Sequence, residues 1–244
     1  MKLKSTLLVS ALALSGAAFA QTAAPAAPAP DYTLSFNVGA VTDYRYRGIS
    51  QSRKKPAIQG GIDFAHSSGF YLGTWASSIK WIKDGGGNAS AEIDVYGGYK
   101  GTAGAIGYDI GILTYQYPSH NLAISPNTTE IYGAGTYGPV TLKYSHATTN
   151  LFGFGNSKNS YYLDLSAFFD LGNGWSVTPH IGYQKVKNSD PFSYTDYSVT
   201  LGKDFGGGLT ASAALIGTDN NNYLAPNGKN LGNGTLVLGV KYAF

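Results

Sequence analysis

The sequence predicts an all-β fold: an antiparallel transmembrane β-barrel of about 12 strands, with short turns at one end and longer loops at the other. Three observations carry that prediction. The first is alternation of period two, which gives a strand two unlike faces. Leu236, Leu238, Val240, Tyr242 and Phe244 alternate with Thr235, Val237, Gly239, Lys241 and Ala243, and ten residues is the span of a tilted strand across a bilayer. The second is punctuation. Ser67-Ser68-Gly69, Thr102-Ala103-Gly104, Gly138-Pro139, Gly172-Asn173-Gly174 and Gly206-Gly207-Gly208 follow one another at spacings of 34 to 36 residues. The third is asymmetry. Longer polar stretches, at about 48–56, 80–90, 118–128, 148–159, 187–193 and 219–233, alternate with those turns. A soluble sandwich has no reason to gather every long loop at one end, whereas an outer-membrane barrel does.

Taken in order, Met1–Ala20 has a basic start (Lys2, Lys4), a short apolar stretch and an Ala18-Phe19-Ala20 cleavage site. It reads as a secretory signal peptide cut after Ala20. Residues 21–31 form an Ala/Pro-rich lead-in of the flexible kind. Residues 32–244 then make a single barrel domain. Its expected strands are 32–47, 57–66, 70–79, 91–101, 105–117, 129–137, 140–147, 160–171, 175–186, 194–205, 209–218 and 235–244. Closure into a barrel satisfies every backbone hydrogen bond, as lipid requires. It also explains how an exported chain manages without a single Cys.

Composition narrows the function. Glycines number 33, aromatics are 19 Tyr, 11 Phe and 3 Trp, and only 13% of residues are charged, which argues against disorder. A formal charge of +3 with no long basic run argues against nucleic-acid binding. Four separated His and no Cys offer no metal site, and no cofactor is expected. His66 and Ser68 have a nucleophile-like spacing but sit at a short turn. No His has a convincing nucleophile and orienting acid, so no catalytic residue is assigned.

Asp43-Tyr-Arg-Tyr-Arg-Gly-Ile-Ser-Gln-Ser52, Pro56-Ala-Ile-Gln-Gly-Gly-Ile-Asp63, Gly69-Phe-Tyr-Leu-Gly-Thr-Trp-Ala76 and Glu92-Ile-Asp-Val-Tyr-Gly-Gly-Tyr99 resemble the TorF family of porin-like proteobacterial proteins. The resemblance runs over most of the mature chain and is densest in residues 38–101. It implies an outer-membrane location in a Gram-negative bacterium and a pore, with no assigned substrate.

Parity along the strands turns Asp43, Asp63, Glu92, Asp94, Asp109, Glu130, Asp164, Asp170, Asp196 and Asp204 toward the lumen, with Arg45, Arg47, Lys100, Lys143 and Lys241. The expected function is passive diffusion of ions or small polar solutes through this charged lumen, mildly cation-preferring. The alternative is a closed barrel with a structural or surface-interaction role. Arg45 and Arg47 are expected on the lumen face of the first strand, either setting selectivity or pairing with Asp63, Glu92 or Asp94. Arg53, Lys54 and Lys55 form a basic outer loop that could meet lipopolysaccharide phosphates. Tyr32, Tyr44, Tyr46, Tyr99, Tyr144, Tyr183, Tyr197, Tyr242 and Phe244 are expected on the lipid face as an aromatic girdle. Tyr242 and Phe244 also look like the C-terminal signal for the barrel-assembly machinery.

Overall fold

In a computed structural model, described over residues 30–244, the chain forms β1 (Tyr32–Val41), β2 (Arg45–Tyr46), β3 (Ile49–Ser50), β4 (Ala57–His66), β5 (Phe70–Ser78), a short helix α1 (Trp81–Asp84), β6 (Ala91–Ala103), β7 (Ile106–Gln116), β8 (Thr128–Tyr137), β9 (Val140–Ala147), β10 (Tyr161–Ala167), β11 (Phe169–Gly172), β12 (Trp175–Lys185), β13 (Tyr194–Gly206), β14 (Leu209–Thr218) and β15 (Thr235–Ala243). The signal peptide and most of the lead-in lie outside the described residues. All strands except β2 and β3 belong to one antiparallel sheet, which closes where β10 also pairs with β12. Since β10 and β11 are two pieces of one strand, the wall has twelve strands.

The break between those pieces has a cause in the sequence. Ser166 pairs with His180 and Phe169 with Val177, so Pro179 of β12 falls opposite the gap. Proline has no N–H to give to the ladder. Phe168 N–H instead donates to Pro139 O at 2.9 Å, on the other side.

Each of the twelve wall strands contributes large apolar residues to an exposed outer surface, among them Leu34, Ile62, Leu72, Val95, Ile110, Ile131, Leu142, Leu165, Ile181, Val199, Leu215 and Leu238. The interior is where burial concentrates. Several inward tyrosines lie flat on the wall because the neighbouring strand carries Gly beneath the ring. A Cβ on Gly111 would sit 2.6 Å from Tyr132 Oη, and one on Gly73 would touch the Tyr96 ring. The seam between the two ends of the barrel is tied by Phe36 and Phe244, whose N–H groups each donate to the other's carbonyl at 2.9 Å.

The expected strands match to within two residues at nearly every end. The exception is the first. A strand over 32–47 was expected, but β1 stops at Val41 and the chain turns into the barrel. Tyr44 and Tyr46 are therefore not girdle residues. Tyr44 is buried in the interior cluster and Tyr46 packs against it. Asp170 and Asp204 keep the parity of Asp164 and Asp196 and lie at the short-turn end. Each carboxylate accepts the N–H of the residue two positions on, at 2.8 Å, inside a short turn.

Candidate functional site

The site is the lumen, and its centre is the segment that leaves β1. Thr42 holds the chain to β15 through both its N–H and its hydroxyl oxygen, each bonded to Leu238. Asp43 then acts as the hub of an inward turn. It accepts Ser50 Oγ at 2.5 Å, Ser52 Oγ at 3.1 Å and Arg45 Nε at 2.6 Å. β2 and β3 form a two-residue hairpin with Arg47 (φ 44°) and Gly48 (φ 79°) at its tip. Both central residues at positive φ is the geometry that suits a tight hairpin's twist. Gly is required at position 48, because a Cβ there would lie 2.5 Å from Thr218 Cγ2 and 2.7 Å from Asp196 Cβ.

This tip spans the lumen. In the ring of strands β8 stands five places from β1 one way and β12 four places the other. Arg47 reaches both. It is bidentate to Glu130 of β8 (Nη1–Oε1 3.0 Å, Nη2–Oε2 2.7 Å) and donates to Gln184 Oε1 of β12 at 2.6 Å. Its guanidinium lies 4.2 Å from the Tyr162 ring centroid on β10 and 4.8 Å from that of Tyr46. Side-chain exposure is 7% for Arg47 and 1% for Glu130, so the pair is shielded from solvent screening. A left-handed backbone costs a non-glycine residue about 1–2 kcal/mol. The paired, stacked guanidinium offsets that. Arg45 ties the hairpin to the opposite end of the sequence, donating to the carbonyls of Gly48, Leu231 and Asn233 and to Thr235 Oγ1.

Around the hairpin, the long-loop half of the lumen is packed. Tyr44, Trp75, Ile79, Ile82, Leu113, Tyr115 and Tyr117 form a buried cluster inside the barrel. Glu92 accepts Tyr117 Oη at 2.6 Å and also Tyr44 Oη. Tyr46 and Tyr115 hydroxyls bond to each other, and Tyr115 Oη donates to Glu130 at 3.2 Å. Asp94 is fully buried beside them with neither carboxylate oxygen bonded by a described residue.

The short-turn half is different. Tyr96 donates to Asp63 (2.5 Å) and Tyr71 to Asp109 (2.6 Å). Lys143 Nζ sits 3.9 Å from the Tyr132 ring centroid, and Lys100 Nζ 5.7 Å from that of Tyr71. Deeper toward the loops, His180 Nε2 is 3.1 Å from Asp164 Oδ2, and Tyr162 donates to Asp196 at 2.9 Å. Tyr162, Asp164 and Asp196 are buried, and the others of this half are half-buried.

The lumen residues expected from parity thus divide. Asp63, Asp109, Lys143 and Asp164 line the wall, as do Glu92, Asp94 and Glu130 higher up. Arg45 and Arg47 do come to the interior, but on the hairpin and not on a strand. Neither pairs with Asp63, Glu92 or Asp94: Arg45 binds Asp43 and Arg47 binds Glu130. Arg53 pairs with Asp84 of α1, and partial burial with Arg45 nearby holds the Lys54 ammonium below its usual pKa. Sequence reasoning missed Gln184, Tyr115 and Tyr117. The signal for the hairpin was present: sixteen residues is too long for one crossing strand, and Arg47-Gly48 is a turn dipeptide.

Residues 24–244 match a family described as "Bacterial protein of unknown function (Gcw_chp)". The chain belongs to the Gcw_chp family. No curated protein matches this sequence. Among solved structures it is similar to the KdgM porin, solved in complex with disordered oligogalacturonate (TM-score 0.59, 12% identity, 86% of this chain and 99% of that one). It is also similar to the NanC porin (0.55, 12%, 86% and 99%) and to the Acinetobacter baumannii outer membrane protein Omp33 (0.50, 7%, 87% and 98%). At such identities the likeness is one of fold. This Gcw_chp chain has the fold of outer-membrane porins.

Proposed function

We propose that this protein is an outer-membrane channel for ions or small polar solutes, held constricted at its long-loop mouth by the β2–β3 hairpin. One observation carries the reading: a closed twelve-strand wall is apolar outside on every strand, while its lumen is lined by carboxylates, lysines and tyrosine hydroxyls. Lipid favours the first surface and water the second. The fold shared with porins and the sequence resemblance to the TorF family support it. The long-loop end then faces outward and the short turns face the periplasm. Arg53, Lys54 and Lys55 lie at the outer end, where lipopolysaccharide phosphates would be their anionic partners. Residues 1–20 fit export with cleavage after Ala20, and Tyr242 and Phe244, on the seam, fit recognition by the assembly machinery.

The Arg47–Glu130 link is the latch of this channel. A guanidinium in two parallel hydrogen bonds is well suited to fixing a loop across a pore. Acids outnumber bases on the lining below it, which favours cations. Planar-bilayer recording of the refolded mature protein in a salt gradient tests the reading. Steady steps with a cation-selective reversal potential are expected. Silence from protein shown to be folded by heat-modifiable gel mobility, in wild type and in Arg47→Ala alike, would overturn it. The second reading, a closed barrel with a structural or surface role, is favoured by the buried aromatic cluster in the long-loop half, and that silence is its signature.

A further inference from the structure

All six long loops contribute to one concavity. It has a volume of about 450 Å³ and lies above the hairpin, with Tyr46 and Gln184 among its lining. Those two residues also hold Arg47, so the latch forms its floor. The walls are rings: Trp81 set edge-on to Tyr117 at 5.1 Å, Phe154 against Phe192 at 5.0 Å, and Tyr223 edge-on to both Phe192 (5.5 Å) and Tyr194 (5.3 Å). Phe152 joins them from the fourth long loop.

From this geometry we infer that the concavity is a binding site for a small uncharged ring compound with an apolar face. Size and chemistry both select that class. Pockets of roughly 300–1,000 Å³ with apolar and aromatic walls and a few polar groups are the usual form of small-molecule sites. No Lys, Arg or His lines this one. Its single carboxylate, Asp84, is paired with Arg53. A charged solute would lose its hydration here and find no free counter-charge. A ring with a flat apolar face instead meets ring faces and edges spaced for such contacts. The site stands whether or not the barrel conducts, so its test is separable from that of the channel.

The probe is phenyl β-D-glucopyranoside, titrated calorimetrically into the refolded mature protein, with glucuronate as the charged comparison. Saturable binding is expected, at least tenfold weaker for glucuronate. Phe152→Ala should weaken the probe at least tenfold. Leu224→Trp is a second variant. Leu224 is 57% exposed on the rim, so the larger ring fills the concavity without disturbing the interior, and binding should be lost. Heat-modifiable mobility checks that each variant is folded. The inference is overturned by absence of saturable heat in the wild type, by equal affinity for glucuronate, or by unchanged affinity in folded Leu224→Trp. Conductance without binding overturns the site and leaves the channel; binding without conductance does the reverse.

Discussion

The two halves of the lumen are built from the same twelve strands and behave as different materials. In the long-loop half, inward side chains such as Trp75, Tyr115 and Glu130 are almost wholly buried, as in the core of a soluble protein. In the short-turn half, inward Asp63, Lys100, Asp109 and Lys241 remain half-buried and polar. The outer wall does not change between them. The difference therefore comes from what the loops add: one hairpin of the first loop supplies Tyr44, Tyr46 and Arg47 to the upper half and nothing to the lower. In this fold the upper half is packed by a loop and the lower half is lined by the wall alone.

The strongest way to break that division is Arg47→Ala. It strips Glu130 of its partner in a buried setting, and unpairing a buried charge costs about 3–5 kcal/mol. The hairpin should undock and single-channel conductance rise several-fold, while heat-modifiable mobility is retained; unchanged conductance would show that the hairpin is not the constriction. Next is Ile110→Arg on the outer wall, where Ile110 is 56% exposed. A cation on the lipid face near mid-depth costs about 2–4 kcal/mol, read as a lowered urea midpoint in vesicles with conductance per open channel unaltered. Glu92→Gln leaves the two tyrosine hydroxyls with a neutral acceptor. Bonds to a charged group contribute about 1.5–3 kcal/mol, so part of that should be lost from upper-half stability, read by hydrogen exchange of the loop amides. The smallest stability effect belongs to Asp63→Asn in the lower half. There the midpoint should hold while the reversal potential moves toward anions; a loosened upper half would mean the halves are coupled.

How legible each part was follows from the same contrast. The wall strands were readable because each lies on one pleated surface and must alternate apolar out, so β4 and β9 were placed to the residue. The lower lining came with them, since Asp63 and Asp109 inherit their direction from strand parity. The hairpin was not readable that way. Parity assumes a continuous strand, and it assigned Tyr44 and Tyr46 to lipid although Asp43, bonded to Ser50 and Ser52, had already turned the chain. The partners of Arg47 were hidden for a second reason. Glu130 and Gln184 lie far along the sequence, and which wall residues a loop tip meets depends on barrel curvature.

The reach of Arg45 and Arg47 also sets an order of events. Arg45 bonds Leu231 and Thr235, beside the final strand, and Arg47 bonds residues of β8 and β12. These partners stand together only after β1 has zipped to β15. Long-range contacts must wait for the loops between them to close. The hairpin thus cannot complete its contacts before the ring has closed. A barrel trapped before closure leaves Arg47 and Glu130 unpaired, and protease sensitivity of the 43–55 segment would then be a clock for assembly.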